Sequence, residues 1–225
     1  MTLGAHVFGT GRLGCWFIEN SGFTDKLRHR LPLVKALGVT DAFLPPSATL
    51  ADKVLVRDAG MFAALYELPP AALSAKDYAA KAVADVNRLK LGALELNIEG
   101  VPDNSLPTYV TSVVREIRAV KPNLRLRINV VPFKAGYLPV DLFVNDPQLF
   151  VIAQSYLGNM DARVSEDEVL RDLTDWGIPK DKCSVMYAAH CGIGYGRATR
   201  VPCLPVIRWR GSIYSDDLLT DGGYL

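Results

Sequence analysis

The stretch ALELNIE, from Ala93 to Glu99, alternates strictly between apolar and polar side chains. Side chains along a β-strand point alternately to its two faces, so this pattern predicts one apolar face and one polar face. The polar face carries Glu95, Asn97 and Glu99, and aliphatic residues form the other face. The fold must therefore provide a partner for each face of this strand.

A second strand repeats the design. Residues 125–130, RLRINV, place two arginines and an asparagine between aliphatic residues. In a parallel βα barrel the apolar face of a strand packs on helices and the other face lines the interior, where carboxylates beside guanidinium groups offset the cost of burying charge. We therefore expect the aliphatic residues of both strands to face helices. Six polar residues are predicted to project inward: Glu95, Asn97, Glu99, Arg125, Arg127 and Asn129.

Short β-branched or aromatic runs alternate with segments of helical period along the chain, which is typical of parallel βα units. The predicted strands are 5–9, 42–45, 62–67, 93–99, 124–131, 150–156, 184–189 and 211–215. About eight strands indicate an α/β fold, a (β/α)8 TIM-like parallel barrel, as a single domain over residues 1–225. Barrels of this type typically use ~250 residues, so some helices should be stunted or missing.

Local signals mark where helices begin and end. Ser74 and Asp77 match a capping box, in which a hydroxyl and a carboxylate satisfy otherwise unpaired amides of the first helical turn. A later helix is predicted to stop at Gly177, before Pro179. Trp176 continues the apolar period of that helix, and we expect it in the core.

Composition and charge exclude several classes of protein. Hydrophobic residues make up 49% of the chain and charged residues 22%, which suits a globular core and not a disordered chain. Lys and Arg total 25 against 24 for Asp and Glu, so no excess of positive charge favours nucleic acid as a partner. The N-terminus shows no signal-peptide pattern, and no apolar run approaches the ~18 residues of a membrane span. We expect a protein that is cytoplasmic as synthesised and has no membrane partner.

Neither the cysteines nor the glycines point to a cofactor or a metal. The four cysteines lack the paired spacing of zinc sites and are interpreted as reduced structural thiols. Gly9, Gly11 and Gly14 match G-x-G-x-x-G, the signature of a dinucleotide-binding turn. A dinucleotide fold also needs a second strand that ends in an acidic residue, and the next predicted strand ends in Leu44 and Pro45. We therefore interpret the motif as a glycine-rich turn that binds no nucleotide.

Glu99 stands out among the inward residues because it closes its strand directly before Gly100. Barrel enzymes place their chemistry at the carboxyl-terminal mouth of the strands, and this position predicts a catalytic or ligand-binding role for Glu99. Glu95, Arg125 and Arg127 lie deeper in their strands. For these three, ion pairs that only fill the barrel are the alternative explanation.

The spacing E-x-N-x-E at Glu95, Asn97 and Glu99 resembles the D-x-D-x-E run of chitinase-like glycoside hydrolases. It also resembles the D-x-E of the muramidase barrels that are common in bacteriophages. The stretch from Asp52 through AGMFAALYEL is similar to the segment that precedes the acidic strand in those muramidases. Ile152, Gln154 and Tyr156 likewise look like their W-Q-Y position, so that the resemblance covers about residues 40–160 at superfamily level.

The resemblance implies that Glu99 is a general acid and that Asn97 stands where an aspartate normally assists it. An amide can hydrogen-bond a sugar but cannot ionise, so the usual helper carboxylate is absent. Glu95 lies roughly 13 Å away along the strand, too far for a retaining pair at about 5 Å. The candidates for a second carboxylate are Glu67, after the third strand, and Asp216 or Asp217, after the eighth. Further residues predicted to contact substrate are Tyr66, Glu95, Arg127, Asn129, Gln154, Tyr156 and Asp217, and Tyr214 is a further candidate for stacking on a sugar.

Two functions from different classes remain open. The first is a barrel that binds, and through Glu99 hydrolyses, a polysaccharide such as a cell-wall glycan, without a cofactor or metal. The second is a catalytically inactive structural or adhesion module, for example in a bacteriophage tail, with other virion subunits as partners. A nucleotide-dependent oxidoreductase that uses the glycine motif is a weaker third class.

The partner of Arg127 discriminates between the first two functions. Paired with Glu99, it would turn that carboxylate into a structural ion pair or a sugar-binding acceptor. Paired with Glu95, it would leave Glu99 able to reach a glycosidic oxygen. We expect the second arrangement, because an unpaired charge is least tolerable in the deeper layer.

Overall fold

Eight parallel strands close into a barrel in sequence order, and the eighth lies beside the first. The computed structural model describes residues 14–17, 22–36, 38–67, 70, 72–131, 136–154, 166–187 and 211–214. The strands are β1 (Gly14–Trp16), β2 (Asp41–Leu44), β3 (Phe62–Glu67), β4 (Ala93–Asn97), β5 (Arg125–Val130), β6 (Leu149–Gln154), β7 (Cys183–Tyr187) and β8 (Gly211–Tyr214). The predicted TIM-like barrel is confirmed.

Six α-helices lie between the strands of the described part. They are α1 (Phe23–Ala36), α2 (Leu50–Asp58), α3 (Ala75–Leu89), α4 (Leu106–Val120), α5 (Val140–Asn145) and α6 (Glu166–Asp175). α5 has only six residues, which confirms that a barrel built on this short a chain contains stunted helices. None of these helices is long and apolar enough to cross a membrane.

The sheet register brings the two polar strand faces together. Glu95 lies opposite Arg127, and Asn97 lies opposite Asn129. The aliphatic residues between them pack into the layer shared with the helices, as predicted: Leu94, Leu96, Ile98, Leu126, Ile128 and Val130. Arg125, the first residue of β5, is half-buried opposite Ala93. The alternation of side chains along β4 and β5 thus separates the charged interior from the apolar layer between the sheet and the helices.

A second apolar cluster fills the other side of the barrel interior. Its large members are Trp16, Phe43, Tyr66 and Ile152, which come from β1, β2, β3 and β6. The rings of Trp16 and Tyr66 are stacked, with centroids 4.8 Å apart. The interior therefore has an aromatic half and a polar half, and it is packed in both.

The helix boundaries follow the sequence signals. Ser74 caps α3, where its hydroxyl accepts a hydrogen bond from the backbone N–H of Asp77. After α6, Gly177 adopts a φ of +106°, a conformation that favours glycine and ends the helix. The expectation that Trp176 is a core residue was wrong, since it is 48% exposed and its indole N–H donates to the carbonyl of Leu138. α6 ends at Asp175, so the helical period no longer sets the direction of the next side chain.

The first strand differs from its prediction. It is Gly14–Trp16, paired with β2 and β8, whereas the predicted segment 5–9 lies outside the described residues. Gly14, the last glycine of the motif, therefore begins a barrel strand. A dinucleotide-binding turn leads into a helix at this point. Gly9 and Gly11 lie outside the described residues.

Candidate functional site

A buried ion pair occupies the centre of the polar half of the interior. The guanidinium of Arg127 donates two hydrogen bonds to Oε2 of Glu95, that from Nε measuring 2.6 Å. The amide of Asn129 donates to the other oxygen, Oε1, at 2.9 Å. Arg127 also lies over the ring of Phe43, 4.6 Å from its centroid. Both oxygens of Glu95 are thus satisfied, and the prediction that Arg127 pairs with Glu95 is confirmed.

Burial raises the pKa of Glu95, because a dry environment disfavours the charged carboxylate. The positive charge of Arg127 and the hydrogen bond from Asn129 act in the opposite direction. Because both carboxylate oxygens of Glu95 are hydrogen-bonded, we assign this residue a structural role at the centre of the barrel.

A chain of amides connects this ion pair to the mouth of the barrel. Nε2 of Gln154 donates to Oδ1 of Asn129 at 3.2 Å and also to Oε1 of Glu99. A carboxylate only accepts, so Glu95 dictates that Asn129 turns its NH2 group inward and its oxygen towards Gln154. Gln154 must then present its own NH2 group to Glu99. A proton carried by Glu99 would therefore reside on Oε2.

Asn97 supports Glu99 from below. Its Oδ1 accepts a hydrogen bond from the backbone N–H of Glu99 at 3.1 Å. Because a backbone N–H can only donate, this contact orients the amide and leaves the NH2 group of Asn97 as the part that can serve a ligand. The hydroxyl of Tyr78, from α3, holds the strand end by donating to the carbonyl of Asn97 at 3.0 Å. Gly100 follows at a φ of +84° and turns the chain out of the barrel.

Glu67 does not join this group. It lies opposite Leu96 in the register, on the outward face of β3, and forms an ion pair with Lys81 of α3. Glu67 is therefore not placed to act as the predicted second carboxylate at the mouth, because its side chain and that of Glu99 lie on opposite faces of the sheet. The prediction for Glu67 failed because side chains alternate along a strand: Tyr66 faces inward, so the next residue, Glu67, must face outward.

The predicted tyrosines are placed differently or not described. Tyr66 is buried, opposite Glu95, and its hydroxyl donates to the carbonyl of Phe17 at 3.2 Å. Tyr66 is 3% exposed and stacks on Trp16, so it fills the interior and is not accessible to a sugar. Of the other candidates, Tyr156, Asp216 and Asp217 lie outside the described residues, and Tyr214 is described only in its backbone.

A cavity of about 270 Å³ adjoins Glu99, and the sequence analysis did not anticipate it. Its walls come from the loop between β3 and α3, the loop between β4 and α4, and the first turn of α4, and include Leu73, Val101 and Tyr109. Loops that follow barrel strands line the active face of such folds. Pro70 and Pro102 mark two of these loops in the sequence and could have indicated that a cavity forms between them.

Metal and thiol chemistry receive no support in the described part of the chain. No group of three histidines, cysteines or carboxylates there could hold a metal ion. Cys15 and Cys183 are thiols that take part in no disulfide among the described residues. Burial, with a smaller effect from Asp181, raises the pKa of Cys183 to about 12, so this thiol stays protonated at neutral pH.

Comparison with known proteins identifies the fold. No protein-family model matches the chain, and the search of curated proteins found no match. Among solved structures, the Bacillus cereus spore cortex-lytic enzyme SleL matches at a TM-score of 0.55 and 12% identity, covering 78% of this chain and 50% of SleL. A mutant GH18 chitinase from Cycas revoluta in complex with (GlcNAc)4 gives a TM-score of 0.57 at 11% identity, covering 78% and 68%.

An aldolase is equally similar. Deoxyribose phosphate aldolase from Aeropyrum pernix matches at a TM-score of 0.56 and 11% identity, with 79% of this chain and 75% of the aldolase covered. The chain spans half the length of SleL. Likeness at this level of identity establishes a TIM-type barrel fold, which glycan-acting enzymes and an aldolase share.

Proposed function

We propose that this barrel binds a glycan at its carboxyl-terminal mouth and hydrolyses it with Glu99 as the general acid. The observation that carries the proposal is the division of labour between two carboxylates of one strand face. Arg127 neutralises Glu95, whereas Glu99 accepts a hydrogen bond from Gln154 on one oxygen and adjoins a cavity. A carboxyl with one oxygen anchored and the other available has the geometry that proton donation to a glycosidic oxygen requires.

Within the described residues, none of the side chains predicted to assist Glu99 is an available carboxylate, and this bears on the kind of substrate. Glu95 and Glu67 are each committed to a basic residue, and Asn97 cannot ionise. Hydrolysis without a second protein carboxylate is known where the substrate assists, with a group of the sugar attacking its own anomeric carbon. We therefore favour an N-acetylated glycan, whose own amide oxygen can attack the anomeric carbon. The NH2 group of Asn97 can donate a hydrogen bond to a sugar oxygen. The (GlcNAc)4 bound to the Cycas revoluta chitinase is a ligand of this kind.

The experiment compares parent, Glu99→Gln and Glu116→Gln on peptidoglycan and on (GlcNAc)4, with release of reducing ends as the measurement. Glu116 is exposed on α4 and serves as the matched control. We expect Glu99→Gln to lose about a hundredfold or more in rate, since general acids contribute roughly 10² to 10⁴. Equal rates in parent and Glu99→Gln would remove Glu99 as the acid.

A catalytically inactive barrel is the second candidate, and Asn97 is the observation that favours it. Its distinguishing result is glycan binding in a calorimetric titration without release of reducing ends. If the parent neither binds nor cleaves any glycan, the structural or adhesion module takes precedence. A place for this chain in a phage tail rests on the sequence resemblance alone.

A further inference from the structure

The cavity beside Glu99 is separate from the polar network of the interior. It lies between the loops that follow β3 and β4, where Pro70, Leu73, Val101 and Pro102 contribute apolar walls, and Glu99 is one of its lining residues. Glu95, Arg127 and Asn129 do not line it. Whatever occupies the cavity therefore meets one carboxylate and a surface that is otherwise largely hydrocarbon.

The outer wall is held in place by a specific contact. The hydroxyl of Tyr109, on α4, donates to the backbone carbonyl of Leu73 at 3.2 Å and so links the helix to the preceding loop. Burial raises the pKa of Tyr109 to about 12, and the phenol remains a neutral donor in this contact at all ordinary pH values. With its hydroxyl engaged, Tyr109 offers the cavity an apolar ring.

The loop that forms the other wall adopts an unusual backbone conformation. Ala72 has a φ of +69°, in the left-handed region that residues with a side chain rarely occupy. Such a conformation persists only where the surroundings hold it, and it is commonest at ligand sites. The contact between Tyr109 and Leu73 lies directly beside it and restrains the loop.

The chemistry of a general acid indicates which part of the substrate occupies the space next to it. The acid protonates the glycosidic oxygen, and that oxygen departs with the leaving group. The sugar ring lies on one side of this oxygen and the leaving group on the other, so the leaving group is the part of the substrate that can enter a cavity beside Glu99. We infer that this cavity binds an apolar leaving group, a compact aromatic or alkyl group joined to the sugar through the glycosidic oxygen. The inference rests on the proposed function and restricts its substrate to an N-acetylated sugar or oligosaccharide joined to an apolar aglycone, since the leaving group of an internal sugar–sugar bond would be a polar sugar.

The reaction balances with water as the only co-reactant. The amide oxygen of the N-acetyl group bonds to the anomeric carbon as the bond from that carbon to the glycosidic oxygen breaks, and the proton on Oε2 of Glu99 passes to the glycosidic oxygen to release a neutral alcohol. Water then adds its hydroxide to the anomeric carbon, which displaces the amide oxygen, and returns a proton to Glu99. At ~30 Å³ for each water-sized group, about 270 Å³ holds roughly nine such groups, which suits a benzyl-sized substituent.

The test uses benzyl and methyl glycosides of the glycan unit that the parent cleaves. Benzyl alcohol and methanol are both simple alcohols, so a difference in kcat/KM reports mainly on binding of the leaving group. We expect the parent to prefer the benzyl glycoside about tenfold. Ser105→Trp fills part of the cavity and should bring the ratio to about one, because the benzyl group loses its binding space.

The matched control is Asn104→Trp, which adds the same ring one residue away at an exposed position that does not line the cavity. It should keep the parental preference. Circular dichroism checks folding, and Leu73→Asp, which places a charge in the wall, replaces Ser105→Trp should that variant not fold. An equal rate for both glycosides in the parent, or a preference that survives both wall variants, overturns the assignment of the cavity alone. A parent that cleaves no glycan overturns the proposed function and this inference together.

Discussion

Glu95 and Glu99 lie on the same face of one strand, four residues apart, and the barrel treats them differently. Glu95, in the deep layer, is fully buried and has both oxygens satisfied by Arg127 and Asn129. Glu99, at the mouth, is partly buried and accepts a hydrogen bond from Gln154 beside a cavity.

The difference follows from depth. A charge in a dry interior costs several kcal/mol unless a partner of opposite charge and hydrogen bonds compensate it, so the deep carboxylate must be paired. A carboxylate at the mouth meets water and needs no such partner. Residue type alone therefore does not identify a candidate catalytic carboxylate in a barrel. The depth of the layer in which the carboxylate lies must be known as well.

The largest expected effect comes from breaking the deep pair. Glu95→Leu leaves Arg127 buried without its counter-charge, and we expect a loss of about 3–5 kcal/mol in the free energy of unfolding, measured by urea denaturation. The double variant Glu95→Leu with Arg127→Met replaces both charges by apolar groups and should recover most of that loss. A single variant that is as stable as the parent would contradict the assignment of Glu95 as a structural centre.

A smaller effect is expected for the amide that joins the two layers. Gln154→Leu leaves Oδ1 of Asn129 and Oε1 of Glu99 without their donor, and unfolding should become easier by about 1–3 kcal/mol. Because Glu99 loses its anchor, glycan cleavage should fall about tenfold through kcat more than through KM. Gln154→Glu, which keeps the shape but repels Glu99, should not restore the rate, and restoration would show that only packing matters at this position.

The pH dependence of stability should separate the two layers further. Burial raises the pKa of Glu95 above its ordinary value of 4.5, so the folded state binds this proton more tightly than the unfolded state. The stability that Glu95 contributes relative to Glu95→Gln is fully present below pH 4.5 and is lost as the pH rises through the raised pKa. Urea denaturation of both proteins between pH 4 and 8 measures this difference. A contribution that grows with pH would instead mean that Arg127 outweighs burial.

The smallest effect on stability is expected at the mouth. Glu99→Gln keeps the shape of a partly exposed side chain, and substitutions of this kind usually change the free energy of unfolding by less than about 0.5 kcal/mol. Thermal unfolding of Glu99→Gln beside Glu95→Gln makes the comparison direct. A loss at Glu99 as large as at Glu95 would show that both layers are structural and would favour the inactive barrel.

Much of the fold could be predicted because its signals are local. Seven of the eight strands and the start of α3 at Ser74 follow from alternation and capping chemistry within a few residues. The first strand could not be predicted in this way, since GCW at Gly14–Trp16 is too short for a pattern and depends on pairing with β2 and β8. The exposure of Trp176 likewise depends on where α6 ends.

The site was only partly predictable for the same reason. Glu99, Asn97 and Gln154 were identified from strand position and from a motif, and the structure brings all three into contact. Glu67 was chosen because it ends a strand, yet Lys81 holds it on the outer face. The cavity and its wall residue Tyr109 combine segments separated by some thirty residues, and no local pattern reports such a meeting.

The sequence by itself determined which side chains of β4 and β5 share a face, because a strand has a side-chain period of two regardless of its surroundings. Only the tertiary structure decided which of those side chains meet. The register places Arg127 opposite Glu95 and four residues below Glu99, and that offset commits one carboxylate to the interior and leaves the other at the mouth. Register and loop placement arise from closure of the whole barrel, which no single strand encodes.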